Sequence, residues 1–355
     1  MNALSSKPWT DDEPLECVMV IPEVPNVKTF AFRSPSGRSF NFSAGQFVTL
    51  ELPTPGGVTT RTYTISSSPT SNAYISVSVK AQPDSQGGRW MFDHLKPGMR
   101  LKARGPGGMF HLPQPAKGKY LFISGGSGIT PMMSMTSFLF ESGEEVDISF
   151  VSCARTSTEL IFRSRLEYMA SRLQGLKLHF VAEQDEPFQV WTGYRGRFNQ
   201  LMLGLMTPDY LDRNVYCCGP EGFMHAVRDM LHSLGYDMSR SRQESFGAPS
   251  IKAEDVISPA SDVRPSVQAA ARVSFAVSNK HIDGAETDTL LSLAKKARLN
   301  IPSGCNMGLC GTCKVKVQSG KTHMVHNGGI SEEDIVEGYV LACCSHPMGD
   351  VVIEM

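Results

Sequence analysis

The first third of the chain is dominated by short apolar stretches that alternate with polar residues. Between residues 15 and 110 these stretches recur at close spacing and are separated by turn sequences at residues 53–57 and 105–108. The pattern predicts strands over residues 17–21, 29–32, 46–52, 63–65, 74–80 and 100–102. Short strands joined by tight turns are typical of an antiparallel sandwich or barrel. We therefore predict a β-barrel domain over residues 15–113, preceded by a polar tail, residues 1–14.

The pattern changes after residue 114, where apolar runs alternate with segments of helical periodicity. Strands are predicted at residues 120–124, 146–153, 177–182 and 214–218, and helices at residues 131–140, 159–173 and 222–234. This alternation indicates an α/β domain with a parallel sheet over residues 114–247. Residues 248–271 are rich in Ser, Pro, Ala and Asp and are predicted to form a linker.

The last segment, residues 272–355, has the pattern of a small α+β domain. Strands are predicted at residues 273–277, 314–317 and 351–354, and a helix at residues 290–299. The chain as a whole is thus expected to be multidomain, with a β-barrel, a parallel-sheet domain and a small mixed-sheet domain.

Charge and composition narrow the functional classes. The 34 Lys and Arg residues nearly balance the 35 Asp and Glu residues, and no basic run stands out, which argues against nucleic-acid binding. No apolar stretch approaches the roughly 20 residues that a membrane helix needs. The first residues lack the apolar segment of a signal peptide. We expect a soluble, cytoplasmic protein.

The cysteines point to a metal centre. Cys305, Cys310 and Cys313 are spaced C-x4-C-x2-C, and Cys343 follows much later. This spacing is typical of a plant-type [2Fe–2S] cluster held by four thiolates. A zinc ribbon is the alternative, but it usually pairs two C-x2-C knuckles. The odd total of nine cysteines also disfavours a secreted disulfide framework.

The fourth ligand has two candidates, because Cys343 and Cys344 are adjacent. Neighbouring residues at the end of a strand point in opposite directions, so only one is expected to face the cluster. The run from Gly338 to Cys343 resembles the ferredoxin pattern in which the ligand ends the run, which favours Cys343. Glycines in the cluster loop, Gly304, Gly308 and Gly311, allow a tight fold with amides directed at the sulfurs.

A possible flavin strand lies in the barrel. Arg61-Thr62-Tyr63-Thr64 supplies a cation, an aromatic ring and a hydroxyl in one extended segment, and alternation sends Arg61 and Tyr63 to one face. A tyrosine in such a strand is more often a packing residue, so the segment alone is weak evidence.

A possible dinucleotide loop follows the first strand of the α/β domain. Residues 124–131 read Ser-Gly-Gly-Ser-Gly-Ile-Thr-Pro and lead from a strand into a helix. Glycines allow a pyrophosphate to approach the backbone, and a helix start favours negative charge. The proposed contacts are Gly126, Gly128, Thr130 and Pro131. A second strand ends in Cys218-Gly219-Pro220, at the sheet edge where ligands bind.

Together these motifs resemble the ferredoxin–NADP reductase superfamily over residues 15–246. The resemblance implies that Arg61, Thr62, Tyr63 and Thr64 bind a flavin, with help from Val79, Lys80, Gly87, Gly88, Arg89 and Trp90. In the family a turn that opens a helix holds the pyrophosphate of FAD. Gly88 stands where Ser or Thr is usual, so FMN remains the alternative to FAD.

The same resemblance implies roles in hydride transfer. It places the Thr64 hydroxyl near the flavin, Cys218 beside the nicotinamide, and Glu244 with Phe246 at the end of the domain, where the aromatic ring must move for the nicotinamide to enter. Cys217 is expected to be structural. Arg155 is the candidate for the adenosine ribose, and the absence of two adjacent cations favours NADH over NADPH.

A chain with these three domains in this order resembles the reductase components of Rieske-type oxygenases, and particularly those of glycine betaine and proline betaine (stachydrine) demethylases. The resemblance implies that electrons pass from NADH through the flavin and the cluster to a terminal oxygenase that removes an N-methyl group. The alternatives are a reductase for a hybrid-cluster protein or for a diiron or ketosteroid hydroxylase. A [2Fe–2S] redox sensor is disfavoured because no output module is recognisable.

Overall fold

The computed structural model describes residues 8–83, 85–113, 115–143, 145–245, 265–266, 269–299, 301, 308, 311, 313–326, 329–330 and 332–355. The chain divides into two compact units. One comprises Met1–Pro106 and Phe110–Phe246, and the other comprises Gly107–Met109 and Gly247–Met355. Within the described residues, no helix has both the length and the apolar character needed to cross a membrane.

Two antiparallel sheets form the predicted β-barrel domain. Their strand orders are β5-β2-β1-β6 and β4-β3-β7, and a bridge between Ile65 and Val77 connects them. The elements are β1 (Leu15–Val24), β2 (Val27–Arg33), β3 (Phe47–Thr54), β4 (Gly57–Thr64), β5 (Ile75–Lys80), α1 (Gln86–His94), β6 (Arg100–Leu101) and β7 (Ala103–Gly107). Alternate residues of both sheets, such as Phe30, Phe32 and Leu50, fill the space between them and are fully buried.

The segment before β1 packs on this barrel, although the sequence alone sets it apart as a polar tail. Trp9 is only 3% exposed and lies against Phe40. The Glu13 carboxylate accepts hydrogen bonds from the Ser34 hydroxyl and from the Ser36 amide, both at 2.7 Å. The segment therefore packs against the barrel through Trp9 and Glu13.

The next domain is a six-stranded parallel sheet of order β11-β10-β9-β8-β12-β13. Its elements are β8 (Lys119–Gly125), α2 (Ile129–Ser142), β9 (Asp147–Ala154), α3 (Arg163–Ala170), β10 (Leu176–Ala182), β11 (Tyr194–Arg195), α4 (Gln200–Met206), β12 (Asn214–Gly219), α5 (Glu221–Ser233) and β13 (Ser241–Ser245). The chain runs outwards from β8 to β11 and then returns to the other side of β8. This reversal between β8 and β12 is a topological switch point, where open α/β sheets bind ligands.

Four elements of this domain differ from the prediction, and one of them is the short strand β11, which was not predicted. The helix predicted over residues 159–173 is divided: a 3-10 turn, Ser157–Glu159, precedes α3, and Phe162 between them has a left-handed φ of 59°. Strand β13 and helix α4 were not predicted. Both are short, and α4 exposes Leu201 and Leu205, which obscures its amphipathic pattern.

The barrel and the parallel sheet share one apolar core. Val27 and Phe110 belong to the same buried cluster as Phe122 and Met132. Within this interface the Ser134 hydroxyl donates to the Ser67 carbonyl at 2.7 Å and accepts from the Gly45 amide at 3.3 Å. The interface therefore combines apolar packing with satisfied buried polar groups.

At the amino end of the sheet, opposite the switch point, Arg213 is 2% exposed. Its guanidinium contacts Asp209 at 2.8 Å and Asp147 at 2.9 Å, and it also donates to the Tyr120 carbonyl. This buried cation joins β8, β9 and the loop before β12.

The remaining unit is a five-stranded mixed sheet of order β15-β14-β18-β16-β17. Its elements are β14 (Ala270–Phe275), β15 (Lys280–Ala285), α6 (Leu290–Lys296), β16 (Lys314–Met324), α7 (Glu332–Val336), β17 (Tyr339–Leu341) and β18 (Ser345–Ile353). Strands β14 and β18 are parallel and the other pairs are antiparallel. The apolar side chains of α6 pack on this sheet, as the α+β prediction requires. Strand β14 begins inside the last two residues of the predicted linker.

Candidate redox site

The predicted flavin strand is β4, and α1 packs directly against it. A Cβ added at Gly87 would lie 2.9 Å from Cγ of Arg61 and 3.6 Å from the Tyr63 hydroxyl. Arg61 and Tyr63 thus project from the same face of β4, as alternation predicts. Burial raises the pKa of the Tyr63 phenol despite the nearby Arg61, so the ring stays neutral. A neutral ring beside a cation suits a flavin with its phosphate.

The first turn of α1 carries the predicted phosphate contacts. Ser85 caps the helix, and its hydroxyl accepts from the Gly88 amide at 3.2 Å. A Cβ at Gly88 would lie 2.9 Å from this hydroxyl oxygen, so Ser85 places a hydroxyl beside the position where the family usually has one. Arg89 forms an ion pair with Asp93, and Trp90 is nearly buried. The first turn contains no acidic residue, which leaves it suited to an anion.

Three other predicted flavin contacts have side chains that point elsewhere. The Thr62 hydroxyl lies 3.1 Å from that of Thr49 on the neighbouring strand. Val79 is 2% exposed in the barrel core, so only its backbone is available to a ligand. Lys80 extends from the end of β5 to Glu159 of the α/β domain, where their charged atoms are 3.0 Å apart.

The glycine loop lies at the switch point. Gly126–Gly128 forms a 3-10 turn after β8 and leads into α2. A Cβ at Gly128 would lie 2.2 Å from the Cys218 carbonyl oxygen and 2.5 Å from the Gly219 nitrogen, so no side chain fits there. The Thr130 hydroxyl donates to the Ser127 carbonyl at 3.1 Å and holds the turn. Pro131 is buried within the first turn of α2.

Three of the predicted catalytic side chains meet beside this loop. Cys218 on β12 is in register with Glu244 on β13, and the Thr64 hydroxyl donates to the Glu244 carboxylate at 3.3 Å. All three are at most 6% exposed. Burial, reinforced by the Glu244 charge, raises the pKa of Cys218, which therefore remains a neutral thiol. Phe246 lies outside the described residues. Cys217 points to the opposite face of the sheet, into a separate apolar cluster.

A cleft of about 410 Å³ opens at the carboxyl ends of β9 and β10. Its polar lining consists mainly of Lys80, Arg155, Thr158, Glu159, Gln184 and Glu186. Arg155 is exposed and contacts Glu159 at 3.0 Å, so the predicted ribose contact lies in this cleft and is already paired with a carboxylate. The cleft lies at the same sheet edge as the glycine loop.

The second unit brings two of the predicted cluster ligands together. Cys313 and Cys343 are 2% and 8% exposed, and the Cys343 amide approaches Sγ of Cys313 at 3.4 Å. The Gly308 amide donates to Sγ of Cys343 at 3.3 Å. Amide donors directed at buried cysteine sulfurs fit an anionic iron–sulfur cluster. Cys305, Cys310 and Gly304 lie outside the described residues.

The geometry revises the argument for the fourth ligand. Cys343 and Cys344 lie in the turn between β17 and β18, not in a strand, so strand alternation does not separate them. Sγ of Cys344 contacts the Leu341 carbonyl at 3.6 Å. The Gly308 amide donates to Sγ of Cys343, which favours Cys343, but a Cβ at Gly308 would also lie 2.6 Å from Sγ of Cys344. Gly308 and Gly311 both have positive φ, as predicted for a tight loop.

Three sequence profiles cover most of the chain. "Oxidoreductase FAD-binding domain" matches residues 19–112, "Oxidoreductase NAD-binding domain" matches residues 122–229, and "2Fe-2S iron-sulfur cluster binding domain" matches residues 275–348. The stachydrine N-demethylase reductase subunit of Rhizobium meliloti is 57% identical over 98% of this chain and 97% of its own. The chain belongs to the family of these reductase subunits.

Three other proteins are similar to this chain over nearly its whole length. The glycine betaine monooxygenase reductase subunit of Pseudomonas aeruginosa is 42% identical over 100% of this chain and 98% of its own. Among solved structures, phthalate dioxygenase reductase covers 98% of this chain and 100% of its own, with a TM-score of 0.60 and 22% identity. A type IV self-sufficient cytochrome P450 monooxygenase covers 97% of this chain and 41% of its own, with a TM-score of 0.73 and 21% identity. These structures support the predicted fold.

The domain matched over residues 19–112 is described as FAD-binding, which supports the choice of FAD. Ser85 explains how a glycine at position 88 is compatible with that cofactor, since its hydroxyl lies beside the Gly88 amide.

The residues of the site that the sequence analysis did not identify include Ser85 and Glu159. Ser85 could have been found, because a serine just before a helical run is a typical N-cap. Glu159 could not, because its partner Lys80 is 79 positions away in another domain.

Proposed function

We propose that this protein is the NADH-dependent reductase of a Rieske-type oxygenase that removes an N-methyl group from a betaine. The main support is the full-length similarity to reductase subunits named for stachydrine and glycine betaine. One turnover would consume one NADH, one O₂ and one proton and yield NAD⁺, water, formaldehyde and the demethylated amine. The oxygenase would bind the betaine.

The proposed residue roles follow the geometry. Bound FAD would accept hydride from NADH and pass electrons on singly, and the [2Fe–2S] cluster would carry them to the oxygenase. Arg61, Tyr63 and the start of α1 hold the flavin in this proposal. Gly128 and Gly219 form a close backbone cradle for the nicotinamide side of the coenzyme.

Thr64, Glu244 and Cys218 would orient the nicotinamide against the flavin and keep water out, because all three are buried. Thr64 and Glu244 also form a hydrogen-bonded pair through which a proton is able to move. Phe246 completes this set as a prediction.

Carboxylates support the choice of NADH over NADPH. Beyond β10, Glu183 pairs with Arg197 at 2.6 Å, and Glu186 accepts from the Thr158 hydroxyl at 3.2 Å. A carboxylate near the ribose accepts a hydrogen bond from the 2′-hydroxyl of NADH and repels the 2′-phosphate of NADPH. Glu186 is our candidate for that contact.

For the cluster we propose the ligands Cys305, Cys310, Cys313 and Cys343. The proposed domain limits are residues 15–113, 114–247 and 272–355, with residues 1–14 as an N-terminal segment and residues 248–271 as a linker. A cytoplasmic location also remains a prediction.

The electron path can be tested with Cys310→Ser. We expect NADH-dependent dye reduction at the flavin to persist while cytochrome c reduction is lost. Unchanged cytochrome c turnover would show that the cluster is not in the path.

The acceptor can be tested by reconstitution with a betaine Rieske oxygenase, in which NADH-dependent formaldehyde is measured. A 3-ketosteroid-9-alpha-monooxygenase reductase component of Mycobacterium tuberculosis is 29% identical over 95% of this chain, which keeps a ketosteroid hydroxylase as the second candidate. Formaldehyde formation supports the first proposal, whereas its absence with an active dye reductase refutes the betaine partner.

A further inference from the structure

One carboxylate in the cleft holds two cations from different domains. Oε2 of Glu159 lies 3.0 Å from Nζ of Lys80, and Oε1 lies 3.0 Å from a guanidinium nitrogen of Arg155. The Glu159 and Lys80 side chains are 20% and 23% exposed, so this contact is shielded from solvent. Such pairs are screened by salt less than exposed ones.

The ionisation of Glu159 is consistent with this arrangement. Burial alone would raise the pKa of its carboxyl, but Lys80 and Arg155 outweigh burial and lower the pKa. The carboxylate is therefore charged at neutral pH. With Glu186 as the other acid, the two acids and two bases that line the cleft cancel in charge.

A neutral cleft treats the two coenzymes differently from a basic one. NADH and NADPH differ only at the ribose 2′ position, where NADPH carries a phosphate. Arginine recognises such a phosphate with two parallel hydrogen bonds when its guanidinium is available. Here Glu159 already accepts from Arg155 and also pairs with Lys80.

We propose that Glu159 determines coenzyme selectivity by neutralising Lys80 and Arg155. The inference rests on the proposed NADH-dependent function and adds a residue to it. The Glu159 carboxylate competes with the 2′-phosphate for both cations, so NADPH must displace an existing ion pair. NADH avoids this competition at the 2′ position.

The test is Glu159→Gln in the intact reductase, with NADH and NADPH compared in dye reduction. We expect the ratio of kcat/KM for NADPH to that for NADH to rise at least tenfold, equivalent to about 1.4 kcal/mol. The change should lie mainly in KM for NADPH and should diminish at high ionic strength. Calorimetric titration should show a similar gain for 2′,5′-ADP over 5′-AMP, independently of flavin turnover.

Three further variants separate charge from structure. Glu167→Gln is the matched control, because Glu167 pairs with Arg163 at 2.8 Å but does not line the cleft, and its ratio should stay within twofold of wild type. Glu159→Asp retains the charge and should keep the selectivity of wild type. Adding Arg155→Leu to Glu159→Gln should remove most of the gain.

An unchanged ratio for Glu159→Gln, or an equal shift in Glu159→Asp, would overturn the inference. Either outcome would refute only the role of Glu159, and the proposed function would stand as long as the wild-type protein reduces the dye with NADH. If the wild-type protein uses neither coenzyme, the proposed function itself fails.

Discussion

Gly128→Ala tests whether backbone contact between the glycine loop and β12 builds the nucleotide site. The new Cβ would lie 2.2 Å from the Cys218 carbonyl oxygen and 2.4 Å from its carbonyl carbon, whereas ordinary contacts begin at 3.4 Å. The loop and the strand would have to separate by about 1 Å. Both neighbours are backbone atoms, so rotamer changes cannot relieve the overlap.

The expected effect is a loss of stability of about 3 kcal/mol, the upper end for overpacking a rigid site. The sign of the change in stability distinguishes two explanations. Gly128 has an ordinary helical φ of −64°, so backbone entropy alone would make alanine more stable by up to about 1 kcal/mol. Steric and entropic arguments therefore predict opposite outcomes.

The measurement is a urea titration of the intact protein followed by tryptophan fluorescence, together with KM for NADH. Gly126→Ala is the matched control, because Gly126 has a φ of +55° and open space around it. It should cost about 1–2 kcal/mol through backbone strain alone. If Gly128→Ala is as stable as wild type and has an unchanged KM, the close-contact argument is wrong.

Three further predictions address stability and the cluster. Arg213→Met leaves Asp147 and Asp209 without their buried cation and should lower the free energy of unfolding by about 3–5 kcal/mol. The control is Arg195→Met at an exposed ion pair, which should change the free energy of unfolding by less than about 0.5 kcal/mol. Both changes are measured by urea titration. The hydrogen bond from Arg213 is the main cause that lowers the pKa of Asp209. The ionised Asp209 carboxylate therefore stabilises the folded protein fully above the unfolded pKa of about 3.9, and this stabilisation is lost as the pH falls towards the folded pKa. Asp209→Asn should accordingly flatten the acid limb of a stability-versus-pH curve, and an unaltered limb would contradict this reasoning. Cys343→Ser should abolish the visible absorption of the cluster, whereas Cys344→Ser should retain it; the reverse pattern would reassign the ligand.

The sequence was most informative where local pattern and local chemistry coincide. The strands β8, β9 and β12 are largely buried, and the glycine loop follows directly after the first of them. The iron–sulfur cluster was predicted from the spacing of four cysteines along the sequence. Features of this kind depend on neighbours in the chain, so they can be recognised without the fold.

Contacts between residues that are far apart in the sequence could not be predicted from the sequence alone. Thr64 and Glu244 are 180 positions apart, and only the folded interface shows that they share a hydrogen bond. The helix predicted over residues 159–173 is interrupted by the extended Leu160 and the left-handed Phe162, which the apolar pattern does not reveal. Family resemblance supplied the role of Glu244, but not its partner.

The Ser134 hydroxyl has a consequence for how the nicotinamide ring reaches its place. Separating the barrel from the parallel sheet would break the bonds of Ser134 to Ser67 and Gly45 and would expose the shared apolar core to water. A hinge motion that separates the two domains would therefore cost free energy in every catalytic cycle. A local side-chain movement near Glu244, on the edge strand β13, would let the nicotinamide enter while the interface between the barrel and the sheet stays intact.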